Sequence, residues 1–199
     1  MSIQNYNLVE HSRRFAIWCA SIAASRSPKC RFSVEQGKKM ITETEELYQL
    51  AGRPDLLPEK KNFDTRHKEW RLDLINNAQN IIGNGAGREF THGVAAKLIN
   101  VYLKSIFLSS NIQLESDKDR SKIDALHPPI DRLLLTALGK DQNCPKPRHN
   151  GKTVSWNFFV NSGWSKFNNE EYEEVIKAIH GITQGVLWKI ESYWKGHQD

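Results

Sequence analysis

The spacing of apolar side chains predicts a chain that is helical over nearly its whole length. Segments 33–50 and 64–82 carry apolar residues at three-and-four spacing, which is the period of an amphipathic helix. Ser33, followed by Gln36 three residues later, is a capping-box signature at the start of the first of these segments. The segment 8–26 has the same period, and we expect its buried stripe to be Phe15, Trp18, Cys19, Ile22 and Ala23.

The segment 94–108 shows the clearest division into an apolar and a polar face. Lys97, Asn100 and Lys104 share one side of the predicted helix, and this polar side is expected to face solvent. A polar loop is expected to follow over 109–125. The opposite, apolar face consists of Val94, Leu98, Ile99, Tyr102, Leu103, Ile106 and Phe107.

Prolines, glycines and caps divide the remainder of the chain. Pro128 and Pro129 predict a helix over 130–139 with proline in its first turn and Gly139 at its end. An irregular region over 140–166 is expected to contain a short strand at 154–160. A long helix is expected to start after Asn168, with Glu171 three residues on, and to run to about Trp194. The sequence has no internal repeat and no low-complexity linker, so we expect one compact all-α domain over residues 1–199.

Charge and composition narrow the classes of function. The chain has 199 residues, with 28 Lys and Arg against 23 Asp and Glu, and the basic excess is concentrated in residues 61–150. A basic middle segment suits a polyanionic partner such as DNA, although an ordinary basic protein can have the same net charge. The three cysteines form no CxxC pair, which argues against a disulfide framework or a zinc knuckle. We also expect no membrane span and no signal peptide, and therefore a cytoplasmic protein.

Two short segments carry the candidate chemistry. The first is Thr-His-Gly-Val-Ala-Ala-Lys at 91–97, where a turn leads into a helix whose first N–H groups are suited to phosphate binding. The second is His-Pro-Pro-Ile-Asp at 127–131, which places Asp131 at the start of a helix, where the helix dipole favours the ionised carboxylate. Brought together, Lys97 and Asp131 could act as an amine nucleophile and a base. Taken singly, each would be an ordinary solvated lysine or helix-start carboxylate.

Together the two segments resemble the helix–hairpin–helix DNA glycosylases, the superfamily that contains 8-oxoguanine glycosylases and endonuclease III. The lysine-bearing hairpin of that superfamily reads roughly L-P-G-V-G-x-K, and its downstream motif P-[VI]-D matches 129–131. The long interval between lysine and aspartate is most similar to the archaeal 8-oxoguanine glycosylases. The resemblance covers about 64–140, with the hairpin and catalytic segment at about 85–135. In the hairpin, Gly93, Val94 and Lys97 match, whereas His92 stands in place of proline and Ala95 in place of the second glycine.

The resemblance implies a base-excision reaction on a flipped-out nucleotide in double-stranded DNA. Lys97 would attack the sugar C1′ and form a Schiff base, while Asp131 would take a proton or stabilise positive charge on the sugar. The substrate would be an oxidised purine or another modified base, in repair or in defence against phage, and we expect a monomer that needs no cofactor and no metal. The residues expected to hold a DNA phosphate are His92, Gly93, Val94 and Ala95, and those considered for the base pocket are Trp18, Trp70 and His127.

Two other functions remain open from the sequence. The altered hairpin could belong to a DNA-binding module without catalytic activity, or the tryptophan-rich final third could be the partner surface of a helical interaction protein. The seven histidines form neither HxxxH nor HxH, which argues against a metal site. Asp64 and His67 share a helix face and are expected to be a surface or capping pair.

Overall fold

The computed structural model describes residues 6–27, 30–83, 89–109 and 117–194, and it confirms the all-α class. The only strands in these ranges are β1 (Arg148–His149) and β2 (Lys152–Thr153), which pair antiparallel. Short 3-10 helices lie at Pro54–Leu56, Lys60–Asn62, Trp164–Lys166 and Leu187–Tyr193. The α-helices are α1 (Leu8–Ser25), α2 (Val34–Glu43), α3 (Glu45–Gln49), α4 (Phe63–Ile82), α5 (His92–Phe107), α6 (Asp117–Asp124), α7 (Arg132–Lys140), α8 (Trp156–Ser162) and α9 (Asn169–Thr183).

Local caps define several helix starts as predicted. Ser33 and Gln36 form the reciprocal capping box of α2, and Asn168 and Glu171 form that of α9. The predicted helix over 168–194 is too long, because Gln184 adopts the left-handed conformation and ends α9. The chain then continues as the 3-10 helix Leu187–Tyr193.

Two predictions for the irregular regions are wrong. The strand expected over 154–160 lies mostly in α8, where Trp156 and Phe159 are buried at helical spacing. The loop expected over 109–125 contains α6, and residues 110–116 lie outside the described residues. In both regions short amphipathic turns pack against the remainder of the protein, and tertiary burial outweighs weak local propensity.

Helix α1 buries a different face from the one predicted. Its buried residues are Ala16, Ile17, Ala20, Ser21 and Ala24, whereas Phe15 is 56% exposed and Trp18 is 49% exposed. Small side chains on the inner face let α1 pack closely along α5. The apolar stripe was therefore assigned to the wrong side of the helix.

Helix α5 lies between two hydrophobic clusters. One cluster is built from α1, α2, α3, α4 and the apolar face of α5. The other is built from α7, α8, α9 and the 187–190 segment, and it includes Ala96 of α5. The prediction of a solvated polar face is therefore wrong, because Lys97 and Asn100 are buried and Lys104 is partly buried.

Within the described ranges, no helix is both long enough and apolar enough to cross a membrane.

Candidate active site

Thr91 caps the start of α5 and ties it to the second half of the chain. Its hydroxyl oxygen accepts a hydrogen bond from the Val94 N–H at 3.2 Å, and its carbonyl accepts one from the Ala95 N–H at 3.0 Å. The same hydroxyl donates to the carbonyl of Ser165 at 2.9 Å. The Thr91 side chain thus caps the N-terminal end of α5 and holds that end against the segment before α9.

Gly93 permits an unusually close backbone approach at the same place. Its N–H donates to the carbonyl of Phe167 at 3.1 Å, and a Cβ built on Gly93 would lie 1.8 Å from the carbonyl oxygen of Trp164. The expectation that Gly93, Val94 and Ala95 offer free N–H groups to phosphate is therefore wrong. Residues 84–88, at the start of the predicted hairpin segment, lie outside the described residues.

We expect Gly93→Ala to lower the free energy of unfolding by about 3 kcal/mol, at the upper end of the usual cost of overpacking, because backbone must move to admit the methyl group. Gly181→Ala is the matched control, since Gly181 also lies in a helix but its added Cβ would meet nothing within 4 Å. That control should raise stability by about 0.5–1 kcal/mol. Urea unfolding of both variants measures the difference, and equal stabilities would contradict the close approach.

Lys97 and Asp131 meet in the structure although they are 34 positions apart. The Lys97 Nζ donates to Asp131 Oδ2 at 3.1 Å. The other carboxylate oxygen of Asp131 accepts the N–H of Leu134 at 3.0 Å, which makes Asp131 the N-cap of α7. The helix therefore begins at Arg132, so the prolines precede it instead of occupying its first turn, and Gly139 lies inside it.

The pair is held in a largely dry environment. Only 7% of the Lys97 side chain and 18% of the Asp131 side chain are exposed. Burial lowers the pKa of the Lys97 ammonium, and the charge and hydrogen bond of Asp131 act in the opposite direction. A lowered pKa increases the neutral fraction of the amine, which is the form that can attack an electrophile.

An aromatic ring and a second ion pair lie beside Lys97. The ring centroid of Trp164 is 5.8 Å from Lys97 Nζ, and Lys104, two turns further along α5, pairs with Glu191. The Lys104 Nζ is also 5.0 Å from the ring centroid of Trp194. Sequence reasoning missed these partners because they come from segments far along the chain. The only signal in the sequence was the seven-residue spacing of Lys97 and Lys104, which places both on one face of the helix but does not identify their partners.

Asn100 positions the two segments relative to each other. It lies one turn beyond Lys97, and its Nδ2 donates to the carbonyl of Pro128 at 2.8 Å. Because Pro128 comes three residues before Asp131, this bond holds the turn that carries the carboxylate against the helix that carries the amine. The Asn100 Oδ1 lies 2.7 Å from Nε2 of His67.

His127 belongs to a buried polar network. Its Nδ1 lies 3.0 Å from the Tyr172 hydroxyl, and its Nε2 lies 2.9 Å from Asp64 Oδ1. The Tyr172 hydroxyl accepts a hydrogen bond from Asn100 Nδ2 at 3.0 Å, so it can donate its own proton to a neutral His127. The contacts with Tyr172 and Asp64 hold in place the segment that leads from His127 to Asp131.

Asp64 and His67 do not form the predicted surface pair. His67 is fully buried with its ring centroid 4.3 Å from that of His127, while Asp64 contacts His127 and also lies 3.3 Å from His180. Burial lowers the pKa of both His67 and His127. Hydrogen bonds from His127 and His180 hold the pKa of Asp64 far below its usual range.

Stability should therefore fall as the pH drops from 7 to 5. An unfolded histidine binds a proton below about pH 6.5, whereas folded His67 stays neutral to a lower pH, so the unfolded state gains protons first. The loss is about 1.4 kcal/mol per pH unit for each histidine protonated only in the unfolded state. We expect His67→Gln to flatten this dependence, and urea unfolding across the pH range measures it. An unchanged slope would contradict this prediction.

The tryptophans considered for the base pocket lie elsewhere in the fold. Trp70 is buried and its indole donates to Glu46 at 2.7 Å, so its ring is part of the core. Trp18 is on the exposed face of α1 beside Phe15. The aromatic residue next to Lys97 is Trp164.

No three His, Cys, Asp or Glu side chains among the described residues are grouped so as to hold a metal ion. Comparisons with protein-family models, with curated proteins and with solved structures find no match to this chain.

Proposed function

We propose that this chain is a DNA glycosylase with lyase activity that removes a modified base from double-stranded DNA. The observation that carries the proposal is the buried contact of 3.1 Å between Lys97 Nζ and Asp131 Oδ2. Both residues lie in segments whose sequences resemble the motifs of the helix–hairpin–helix glycosylases, with His92 and Ala95 departing from the hairpin pattern. An oxidised purine or another modified base would be the substrate, in repair or phage defence, for a monomer in the cytoplasm.

The proposed reaction uses the two side chains in sequence. The neutral amine of Lys97 bonds to the sugar C1′, and the glycosidic bond breaks with its electron pair leaving on the base. The ionised Asp131 carboxylate stabilises the positive charge that develops on the sugar, and it accepts the proton that the amine loses once the bond to C1′ has formed. Opening of the sugar ring gives an imine, from which removal of a C2′ proton expels the 3′ phosphate, and water then releases Lys97.

The burial of the pair also favours a second role. An ion pair in which 7% of the lysine side chain is exposed could also be purely structural and join α5 to α7, as expected in a module without catalytic activity. In the catalytic role, bound DNA must move the groups that cover the amine. Trp164, whose ring is next to Lys97 and which is only partly buried, is the neighbouring group that could move.

Borohydride trapping on a duplex with an abasic site tests the proposal without knowledge of the base. An imine between the amine and the abasic sugar is reduced to a stable amine, so an active protein becomes covalently joined to the DNA. We expect a trapped complex that grows with time and that requires borohydride. DNA binding without trapping would indicate the inactive module, and absence of both would indicate a protein without a role on DNA.

The substrate is found with a panel of duplexes that carry different modified bases. Release of one base, followed by strand cleavage at that position, identifies it. Binding should weaken as salt rises, because phosphate contacts release counterions. Binding that does not depend on salt would contradict a DNA partner.

A further inference from the structure

A cavity of about 460 Å³ lies between α4 and α9, and the buried Arg71 is part of its wall. Its volume is in the range of ordinary small-molecule sites. The residues that matter for its chemistry are Lys68, Arg71, His127, Tyr172, Lys177 and His180.

Arg71 is only 1% exposed, yet most of its hydrogen-bonding capacity is unused. Its guanidinium carbon lies 4.3 Å from the ring centroid of Tyr172, and its Nη2 is 3.5 Å from Glu173 Oε1. Its Nε and Nη1 are buried and have no hydrogen-bond partner among the described residues. A buried guanidinium with unpartnered N–H groups is costly, so its place in a cavity wall indicates an acceptor supplied by a ligand.

The charges around the cavity favour an anion. Glu173 is shared between Arg71 and Lys68, whose Nζ lies 3.3 Å from the same carboxylate oxygen. The other carboxylate of the cavity, Asp64, is engaged by two histidines. Lys177 is exposed and has no ion-pair partner within the described ranges. The cavity is thus lined by three cationic side chains and by two carboxylates that already have partners. The cations are Lys68, Arg71 and Lys177, and the carboxylates are Glu173 and Asp64.

His92, the first residue of α5, interacts electrostatically with Arg71, although it lines a different cavity. His92 is half-buried, its Nδ1 has no partner in the described part of the chain, and its charge interacts with Arg71. Burial lowers the pKa of His92, and the positive charge of Arg71 lowers it further.

We propose that this cavity binds a phosphate group, with Arg71 as its main donor and Lys68 and Lys177 at its rim. Several donors from three side chains match the oxygens of phosphate better than the two oxygens of a carboxylate. The contact of 3.5 Å to the half-exposed Glu173 is at the limit of a hydrogen bond, so phosphate can replace it. The proposal uses none of the residues assigned to catalysis.

The test is thermal unfolding of the full chain in increasing inorganic phosphate at constant ionic strength. A ligand that binds only the folded protein raises Tm with concentration, and the dependence yields Kd. We expect the Kd for phosphate to rise at least about tenfold in Arg71→Gln and about threefold in Lys177→Gln, because charge-assisted hydrogen bonds or an attractive charge are lost. Lys152→Gln, in β2, is the control and should match the wild type.

Lys177→Gln decides the outcome if Arg71→Gln does not fold, because Lys177 is an exposed residue. A Tm that does not respond to phosphate, or an equal response in wild type and Lys177→Gln, would overturn the proposal. Binding of the abasic duplex by the same proteins separates the two sources of phosphate. Weaker duplex binding by Lys177→Gln indicates the DNA backbone, and unchanged duplex binding with weaker phosphate binding indicates a free ligand. Borohydride trapping on the same samples reports separately on the catalytic proposal.

Discussion

Replacing Lys97 by glutamine abolishes both borohydride trapping and base excision, which is the largest effect we expect from a single substitution. Glutamine keeps a polar hydrogen-bond donor on a side chain one bond shorter than that of lysine, but its amide nitrogen cannot form an imine. The fold should persist, because the contacts of Lys97 with Asp131 and Trp164 are few beside the apolar packing that holds α5 on both sides. Trapping on the abasic duplex and circular dichroism of the same samples measure the two properties.

Lys122→Gln is the matched control for the loss of a buried lysine. Lys122 is 5% exposed and donates to the carbonyl of Asp55 at 2.8 Å, away from the proposed nucleophile. This variant should trap DNA at the wild-type rate even if its Tm is lower. Normal trapping by the Lys97 variant would show that another amine is the nucleophile.

Replacing Asp131 by asparagine should slow excision by at least about 10²–10³ in single-turnover experiments, which is the usual cost of removing one preorganised electrostatic group. Asparagine is as good an N-cap as aspartate, so its side-chain oxygen can still accept the N–H of Leu134 and hold the start of α7. The substitution therefore removes the charge and leaves the local structure. DNA affinity should be unchanged or slightly higher, since a negative charge near phosphate is gone.

Whether the excision rate rises or falls in Asp131→Asn distinguishes two effects of this carboxylate: its effect on the pKa of Lys97, and its action as a base or as a stabiliser of the sugar cation. Burial lowers the pKa of Lys97 and Asp131 raises it, so removal of the carboxylate charge lowers the pKa of the amine further. More of the amine would then be neutral at pH 7, and this effect alone would speed the attack. A slower reaction at every pH must therefore come from the loss of a base or of stabilisation of the sugar cation.

Asp55→Asn provides the control for the loss of a carboxylate, because Asp55 forms a surface ion pair with Arg53. It should excise at the wild-type rate. If Asp131→Asn also excises at a near-normal rate, Asp131 is only the cap of α7, and the catalytic interpretation of the pair fails.

Local rules predicted the features that depend on neighbouring residues. The capping boxes at Ser33 and Asn168 were predicted correctly, because a cap and its partner are three residues apart and form within one turn. The helix that contains Lys97 was recognised from its period. The pairing of Lys97 with Asp131 was also anticipated, but through resemblance to a family, since spacing along the chain does not bring residues 34 positions apart into contact.

Tertiary packing determined which helix faces are buried and which groups surround the amine. The inner face of α1 consists mostly of small residues, so close packing against α5 outweighed the larger apolar stripe with Trp18. The polar side of α5 lies inside because partners from distant segments satisfy it: Asp131 for Lys97, Pro128 for Asn100 and Glu191 for Lys104. A polar group can be buried where it has a hydrogen-bond or ion-pair partner. Here each partner comes from another segment of the chain, so the sequence of α5 alone does not identify it.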